Sequence, residues 1–194
     1  AEQAAFNQRW LDRISAIDAS MLDGQARLSY DIFVRDLRIE LEGDRFPGWK
    51  QPVNQFRNFA TFFAQLGSGQ SAQPFKSVQD YDNWLARAGQ APALFETAIA
   101  NMRTGIADGV VQPKALMQKV LPQFDALIKD KAEETIFWGP ISNLPSEFGD
   151  ADKTRLTDAY RTLIEEKILP AYRSLRAFIA DEYLPAARDS VALS

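Results

Sequence analysis

The stretch that decides the fold is LTDAYRTLIEEKILPAYRSLRAFIADEY, residues 156–183. Its large apolar residues recur with helical spacing, so they gather on one side of a helix. These residues are Leu156, Tyr160, Leu163, Ile168, Tyr172, Leu175, Ile179 and Tyr183. Pro170 lies in the middle of the stretch and lacks the backbone N–H of other residues. The helix is therefore expected to bend or break at Pro170.

The same spacing extends outward over the rest of the chain. Apolar stripes of helical period occupy residues 6–21, 30–41, 56–66, 78–88, 95–106 and 116–127. No window of alternating polarity competes with them, and Pro/Gly-rich loops separate several of them. The sequence predicts an all-α fold, an irregular array of seven or eight helices forming one helical domain over residues 1–194.

Several helix ends have recognisable signals. Gly43 and Gly109 follow apolar stripes and favour a helix stop, because glycine accepts the left-handed conformation found there. Ser77 and Asp80 are typical of a helix N-terminus, where a side-chain oxygen accepts from a free backbone N–H. Pro122 lies inside a stripe and is expected to kink or interrupt the helix.

The composition excludes several classes of function. The 194 residues contain no Cys and no His, so a Cys or His nucleophile, base or zinc ligand cannot come from this chain. The 22 basic and 26 acidic residues and the pI near 5.0 argue against a nucleic-acid-binding surface. The longest apolar runs are too short to span a membrane.

Carboxylates are the only plentiful catalytic residue type. Three adjacent pairs occur, Glu133–Glu134, Glu165–Glu166 and Asp181–Glu182. Neighbours on a helix point about 100° apart, so solvated helix faces explain these pairs better than a shared site. Asp150 and Asp152 begin like a calcium loop, but Arg155 replaces the required glycine, so we interpret both as helix-start residues. We find no catalytic, cofactor-binding or metal-binding residue.

Two tryptophans stand in Pro/Gly-rich loops rather than on a stripe. Trp49 and Trp138 are the candidates for lining a ligand cleft. The competing interpretation is a loop plug, in which each ring is buried against the helices. Phe59, Phe62 and Phe63 could form a stacking platform, but their helical spacing favours the core.

Four strings in one order carry a resemblance to a known family. They are residues 77–87 (SVQDYDNWLAR), 102–113 (MRTGIADGVVQP), 137–140 (FWGP) with Leu144-Pro145, and 168–179 (ILPAYRSLRAFI) with 182–188 (EYLPAAR). Together they resemble the N-terminal half of a large bacterial family, domain of unknown function eight-eight-five. The resemblance runs from about Leu11 to Arg188.

The resemblance implies a longer, mostly helical protein that is often an exported lipoprotein and is similar to gluzincin-type zinc metallopeptidases. The family's His-Glu-x-x-His helix lies in the C-terminal half, where two His bind zinc and the Glu activates water. No residue here matches that motif, so zinc is expected only in the C-terminal half. The chain begins at Ala1, which a cleaved export signal or a trimmed chain explains. We expect an N-terminal fragment from the periplasm or cell envelope, with a lipid anchor upstream. The absence of Cys is equally compatible with the cytoplasm.

Three hypotheses of function follow. The first is a non-catalytic helical half that partners its own C-terminal half and supplies one wall of a cleft for a peptide substrate. It predicts a large exposed apolar patch, or a homodimer that hides it. The second is a free-standing helical interaction module with a well-covered surface. The third, a hydrolase using two carboxylates, ranks last because nothing places such a pair.

Overall fold

The computed structural model describes residues 2–56 and 58–191 and confirms the all-α fold. The helices are α1 (Glu2–Ser15), α2 (Gly24–Gly43), α3 (Phe59–Gly67), α4 (Val78–Ala88), α5 (Ala91–Ala107), α6 (Lys114–Gln118), α7 (Leu121–Leu127), α8 (Gly139–Ser142), α9 (Asp150–Leu163), α10 (Leu169–Phe178) and α11 (Leu184–Ala186). Seven of them have nine residues or more, in line with the seven or eight predicted helices. Within the described ranges there is no β-strand, and no helix is long and apolar enough to cross a membrane.

The chain divides into two compact units, Ala1–Gly48 and Trp49–Ser194. Whether these two units form the single helical domain predicted over residues 1–194 is not tested by this division, so that domain stays a prediction.

The first unit is a hairpin of α1 and α2. Val34 and Leu37 are buried in it, together with Asn7. Asn7 donates from Nδ2 to Glu40 Oε2 at 2.7 Å and accepts at Oδ1 from Gln3 Nε2 at 2.9 Å, so its buried amide is hydrogen-bonded on both sides. The predicted first helix was too long, because α1 ends at Ser15 and a separate 3₁₀ turn occupies Ala19–Met21.

The second unit has its core around Tyr172 of α10. The Tyr172 ring lies 4.8 Å from the Phe95 ring and 5.9 Å from the Phe137 ring, centre to centre. Its hydroxyl donates to the carbonyl of Ala60 in α3 at 2.5 Å. Burial raises the pKa of Tyr172 well above its ordinary value, because the phenolate would lose its water. This residue therefore joins three helical segments through ring contacts and one hydrogen bond.

The C-terminal end of α3 approaches the core closely at Gly67. A Cβ at that position would lie 2.5 Å from the Trp84 ring and 2.7 Å from the Phe137 ring, so only glycine fits without movement. The Phe63 ring stacks on the Trp84 ring at 5.3 Å. This contact places the inner face of α3 on the core and leaves its opposite face, with Phe62, toward solvent.

The helix continues through Pro170. The break that was one of the two predicted outcomes, beside a bend, therefore does not occur. Residues 150–186 stay helical throughout, with π-helical segments at Ile164–Ile168 and Ile179–Tyr183. Each segment ends directly before a Leu-Pro-Ala sequence, at Pro170 and Pro185. A wider π turn relieves the clash between a proline ring and the preceding turn, which explains both positions.

The other helix ends match most of the signals. Ser77 and Asp80 form a capping box, and Gly109 adopts the left-handed conformation with φ of 70°. Gly43 is the last residue of α2, as predicted, but has no positive φ, so the left-handed stop predicted there is wrong. The helix around Pro122 is interrupted between α6 and α7, as predicted. Asp150 begins α9, although Gly149 occupies its N-cap.

Candidate functional site

Trp138 lies in the core rather than on a surface. It belongs to the 3₁₀ turn Ile136–Trp138, is 9% exposed and packs in the main hydrophobic cluster. The guanidinium carbon of Arg161 lies 5.2 Å from the ring centre and covers part of the remaining face. The side chain is therefore placed as the loop-plug interpretation expects, and its role in lining a cleft stays a prediction.

Trp49 is placed differently. It lies in the 3₁₀ turn Gly48–Lys50 and is 54% exposed. Lys50 Nζ lies 5.3 Å from the ring centre, and the same ammonium pairs with the carboxylate of Asp108. Trp49 is thus open to solvent, whereas Trp138 is buried. The hypothesis that both line a ligand cleft stays a prediction.

One carboxylate of each adjacent pair makes a structural contact. Glu182 accepts two hydrogen bonds from Arg103, at 2.8 and 2.6 Å, which lowers the pKa of Glu182. The pKa of Glu133 is lowered by its own backbone N–H and by Arg161, whose guanidinium lies at 3.0 Å. Glu165 lies 3.4 Å from the backbone nitrogen of Ala132. Ion-paired carboxylates of lowered pKa are poor general acids, so Glu133 and Glu182 do not suggest acid catalysis.

Possible ligands for a metal are equally dispersed. Throughout residues 2–56 and 58–191, no group of three or more carboxylates lies close enough to hold a metal ion. Because the chain has no His and no Cys, its residues do not fit the zinc ion that the family resemblance implies.

Buried tyrosines are the most strongly perturbed titratable groups. Burial raises the pKa of Tyr81 to about 12, and its hydroxyl donates to the carbonyl of Pro140 at 3.0 Å. Burial also raises the pKa of Tyr160, whose buried hydroxyl has no hydrogen-bond partner among the described residues. A tyrosine acting as a base or nucleophile needs a lowered pKa, so these groups are structural.

The hairpin carries an open aromatic depression, which we call the hairpin groove. It has a volume of about 490 Å³. Its lining consists of Gln3, Phe6, Asn7, Trp10, Phe33, Asp36, Leu37 and Glu40. Arg13 stacks over the Trp10 ring at 4.5 Å. Phe6, Trp10 and Phe33 remain between 37% and 45% exposed, so this apolar surface is only partly covered.

A second depression, the α3 groove, lies in the second unit and has a volume of about 570 Å³. It is lined by Pro52, Gln55, Phe56, Asn58, Phe59, Thr61, Phe62, Gln65 and Gln123. Phe56 is 86% exposed and Phe62 is 61% exposed. The sequence placed Phe62 in the core, and this is wrong, whereas Phe59 and Phe63 do pack against the core. No clear signal for this difference is present in the sequence, because adjacent helix residues can both be buried, as Leu163 and Ile164 are.

Two smaller depressions lie between α5 and α10, with volumes of about 340 and 250 Å³. They share Glu96, Ile99 and Ser174. The ion pair of Arg103 with Glu182 crosses one end. Nothing in this region aligns a nucleophile with a base, so its polar groups do not form a catalytic arrangement.

Comparison with known proteins gives one match. A family model described as bacterial protein of unknown function (DUF885) matches residues 1–192. No curated protein and no solved structure matches the chain. The match covers nearly all of the sequence, including every segment that carries the four strings quoted above. The chain therefore belongs to the DUF885 family of bacterial proteins.

Proposed function

We propose that the chain is the non-catalytic, N-terminal helical part of a longer, zinc-metallopeptidase-like bacterial protein. In this proposal it serves as a scaffold, and the remainder of the same protein covers the hairpin groove. The open aromatic surface of α1 and α2 is the observation that carries the proposal. Membership of the DUF885 family is consistent with it.

The hairpin groove has the composition of a docking surface. Phe6, Trp10 and Phe33 form an apolar centre, and Asp36 with Glu40 adds charge at its edge. Apolar centres with polar rims are typical of surfaces that a partner covers. A large aromatic side chain has about 150–250 Å² of surface, so covering the roughly two fifths that remain exposed here contributes about 1.5–2.5 kcal/mol at 25 cal/mol per Å². Three such rings would supply a substantial part of the docking free energy.

The chemistry of this proposal lies outside residues 1–194. Zinc would be bound by the C-terminal half, since the residues of this chain do not fit it. The helical part would position that half and contribute one wall of a cleft for a peptide, with Trp49 and Trp138 as the candidate lining residues. Export to the periplasm or cell envelope, with a lipid anchor upstream, belongs to the same proposal.

The gene provides the first test. Translation beyond Ser194 should continue into a segment with His-Glu-x-x-His, and a natural stop codon directly after Ser194 would refute the proposal. The second test mixes this chain with the separately expressed C-terminal half. We expect Trp10→Ala or Phe33→Ala to weaken their association, whereas Ile39→Ala should not. Ile39 is a matched control because it is exposed on α2 but does not line the groove.

A free-standing binding module is the alternative function. The α3 groove favours it, because that groove offers a binding surface without any missing half. This alternative predicts a chain that ends at Ser194 and remains monomeric in sedimentation experiments. Self-association driven by the hairpin groove, abolished by Trp10→Ala, would argue against it.

A further inference from the structure

We propose that the hairpin of α1 and α2 is a separate opening unit, which unfolds and refolds locally in the 194-residue chain while the second unit stays folded. The observation that carries this inference is how few side chains the hairpin buries and how many large apolar ones it exposes. Local opening is a property of the hairpin alone. Only the partner whose docking would end the opening depends on the proposed function.

The helices of the hairpin bury very little. α1 has 14 residues and buries only Asn7, and α2 has 20 residues and buries only Val34 and Leu37. By contrast, α10 has 10 residues and buries five of them. Most of the stability of a helix in a protein comes from the packing of its apolar face, so much less packing holds α1 and α2 than holds α10.

Many large apolar side chains of the hairpin are exposed instead. On the two helices these are Phe6, Trp10, Leu28, Ile32, Phe33 and Ile39. Ile17 and Met21, in the connection between the helices, are exposed as well. Folding is driven mainly by the removal of apolar surface from water, and an independent domain of about 60 residues is already marginal because it buries so small a share of its surface. The hairpin is shorter than that, so it is expected to open easily.

The local signals at the start of α2 do little to compensate. Asp23 is the N-cap of α2, but its side chain makes no capping hydrogen bond, whereas Ser77 and Asp80 form a capping box on α4. Gly24 follows with a φ of 46°, and glycine loses more conformational freedom on folding than any other residue. The helix therefore begins without the side-chain hydrogen bond that stabilises most N-termini.

The polar contact between the two helices fixes their register rather than their stability. Asn7 is 3% exposed and donates across the hairpin to Glu40 at 2.7 Å. A buried polar residue in a helix interface selects one alignment of the helices at a cost in stability. The hairpin therefore has one defined closed form, and that form is held weakly.

Covering the hairpin groove would supply the apolar contacts that the hairpin lacks. Whatever binds the closed form and not the open form shifts the equilibrium toward closing. In the proposed function the remainder of the protein is this cover, so the hairpin would become ordered as that part docks. Coupling of folding to docking of this kind combines a specific fit with moderate affinity.

Hydrogen exchange of the intact 194-residue chain, followed by mass spectrometry of peptic peptides at neutral pH, measures the opening directly. An amide exchanges when its own region opens, so each unit reports on itself. We expect the amides of α1 and α2 to exchange at least about a hundredfold faster than those of α5 and α10.

Two variants of α2 provide a matched pair. Leu37 is 6% exposed and Ile39 is 51% exposed. Leu37→Ala should accelerate exchange in α1 and α2 by about tenfold, because it removes part of the small core that closes the hairpin. Ile39→Ala should change the exchange rate by no more than about twofold in either direction. Neither variant should alter exchange in α5 and α10.

Exchange in α1 and α2 as slow as in α5 and α10 would overturn the inference. An equal acceleration in α10 by Leu37→Ala would do the same, since the two units would then open together. Both results would leave the proposed function intact. Addition of the separately expressed C-terminal half should slow exchange in the hairpin. If it does not, the proposed cover of the hairpin groove is wrong, whereas the local opening measured in the chain alone still stands.

Discussion

Two buried tyrosines that differ in one hydrogen bond give a sharp test of the structure. Tyr160 and Tyr172 both lie in the core of the second unit and are at most 1% exposed. Tyr172 donates to the carbonyl of Ala60, whereas the hydroxyl of Tyr160 has no partner among the described residues. Replacement of each by phenylalanine removes one oxygen and leaves the ring. The two variants should therefore change stability in opposite directions.

The magnitudes follow from the cost of burying a hydroxyl. A buried polar group without a partner costs about 1–3 kcal/mol, so Tyr160→Phe should stabilise the fold by about 1 kcal/mol. Tyr172→Phe loses a hydrogen bond with a net value of about 1 kcal/mol and should destabilise the fold by about that amount. The free energies of unfolding of the two variants should then differ by about 2 kcal/mol. The difference isolates the hydrogen bond of Tyr172, because the same atom is removed from the same type of ring.

Urea unfolding measures both effects. Of the four tryptophans, Trp84 and Trp138 are buried in the second unit, so tryptophan fluorescence reports mainly on that unit. Circular dichroism at 222 nm reports on all helices. We expect a higher midpoint for Tyr160→Phe and a lower midpoint for Tyr172→Phe, with unchanged slopes. A loss of stability in Tyr160→Phe as large as that in Tyr172→Phe would refute the reasoning. It would mean that the Tyr160 hydroxyl has a partner, such as a buried water.

Three further predictions address the alkaline limit, close packing and capping. Burial raises the pKa of Tyr81 to about 12 from an unfolded value near 10, so above pH 10 the unfolded state binds fewer protons and stability should fall. Alkaline titration of unfolding should show a smaller loss between pH 10 and 12 in Tyr81→Phe. Gly67→Ala should destabilise the fold by about 1–3 kcal/mol and so lower the urea midpoint, because its Cβ would meet the Trp84 ring. Gly149→Ala has open space around the new Cβ, so no clash is expected there. Ser77→Ala should cost about 1 kcal/mol in thermal or urea unfolding through loss of the α4 cap, and an unchanged midpoint would contradict the capping box.

Helix positions were predictable from the sequence because local chemistry determines them. The capping box of Ser77 and Asp80 depends on residues three apart, and its geometry is the same in any fold. The stripe of Phe95, Ile99 and Met102 is buried as its spacing predicts. These features need only neighbouring residues, so a single sequence is enough to find them.

The π segments were missed, although a signal for one of them is present. Apolar residues of the C-terminal stripe step by three or four positions except between Leu163 and Ile168, which are five apart. That longer step coincides with the first π segment, Ile164–Ile168. The second segment has no such step, since Ile179 and Tyr183 are four apart. Its only sequence signal is the Leu-Pro-Ala that follows it, which also follows the first π segment.

The candidate surfaces could not be predicted because periodicity does not say what covers a stripe. Phe6 and Trp10 are four residues apart, and so are Phe95 and Ile99, yet the first pair is partly exposed and the second is buried. A stripe shows that a helix face is suited to an interface, and tertiary contacts alone determine whether the same chain supplies the other side. Phe62 and Trp10 are therefore alike, because both lie on an apolar helical stripe and both are exposed. In each case the sequence pattern indicates burial, and the exposure of the side chain shows that the described residues of this chain do not cover it.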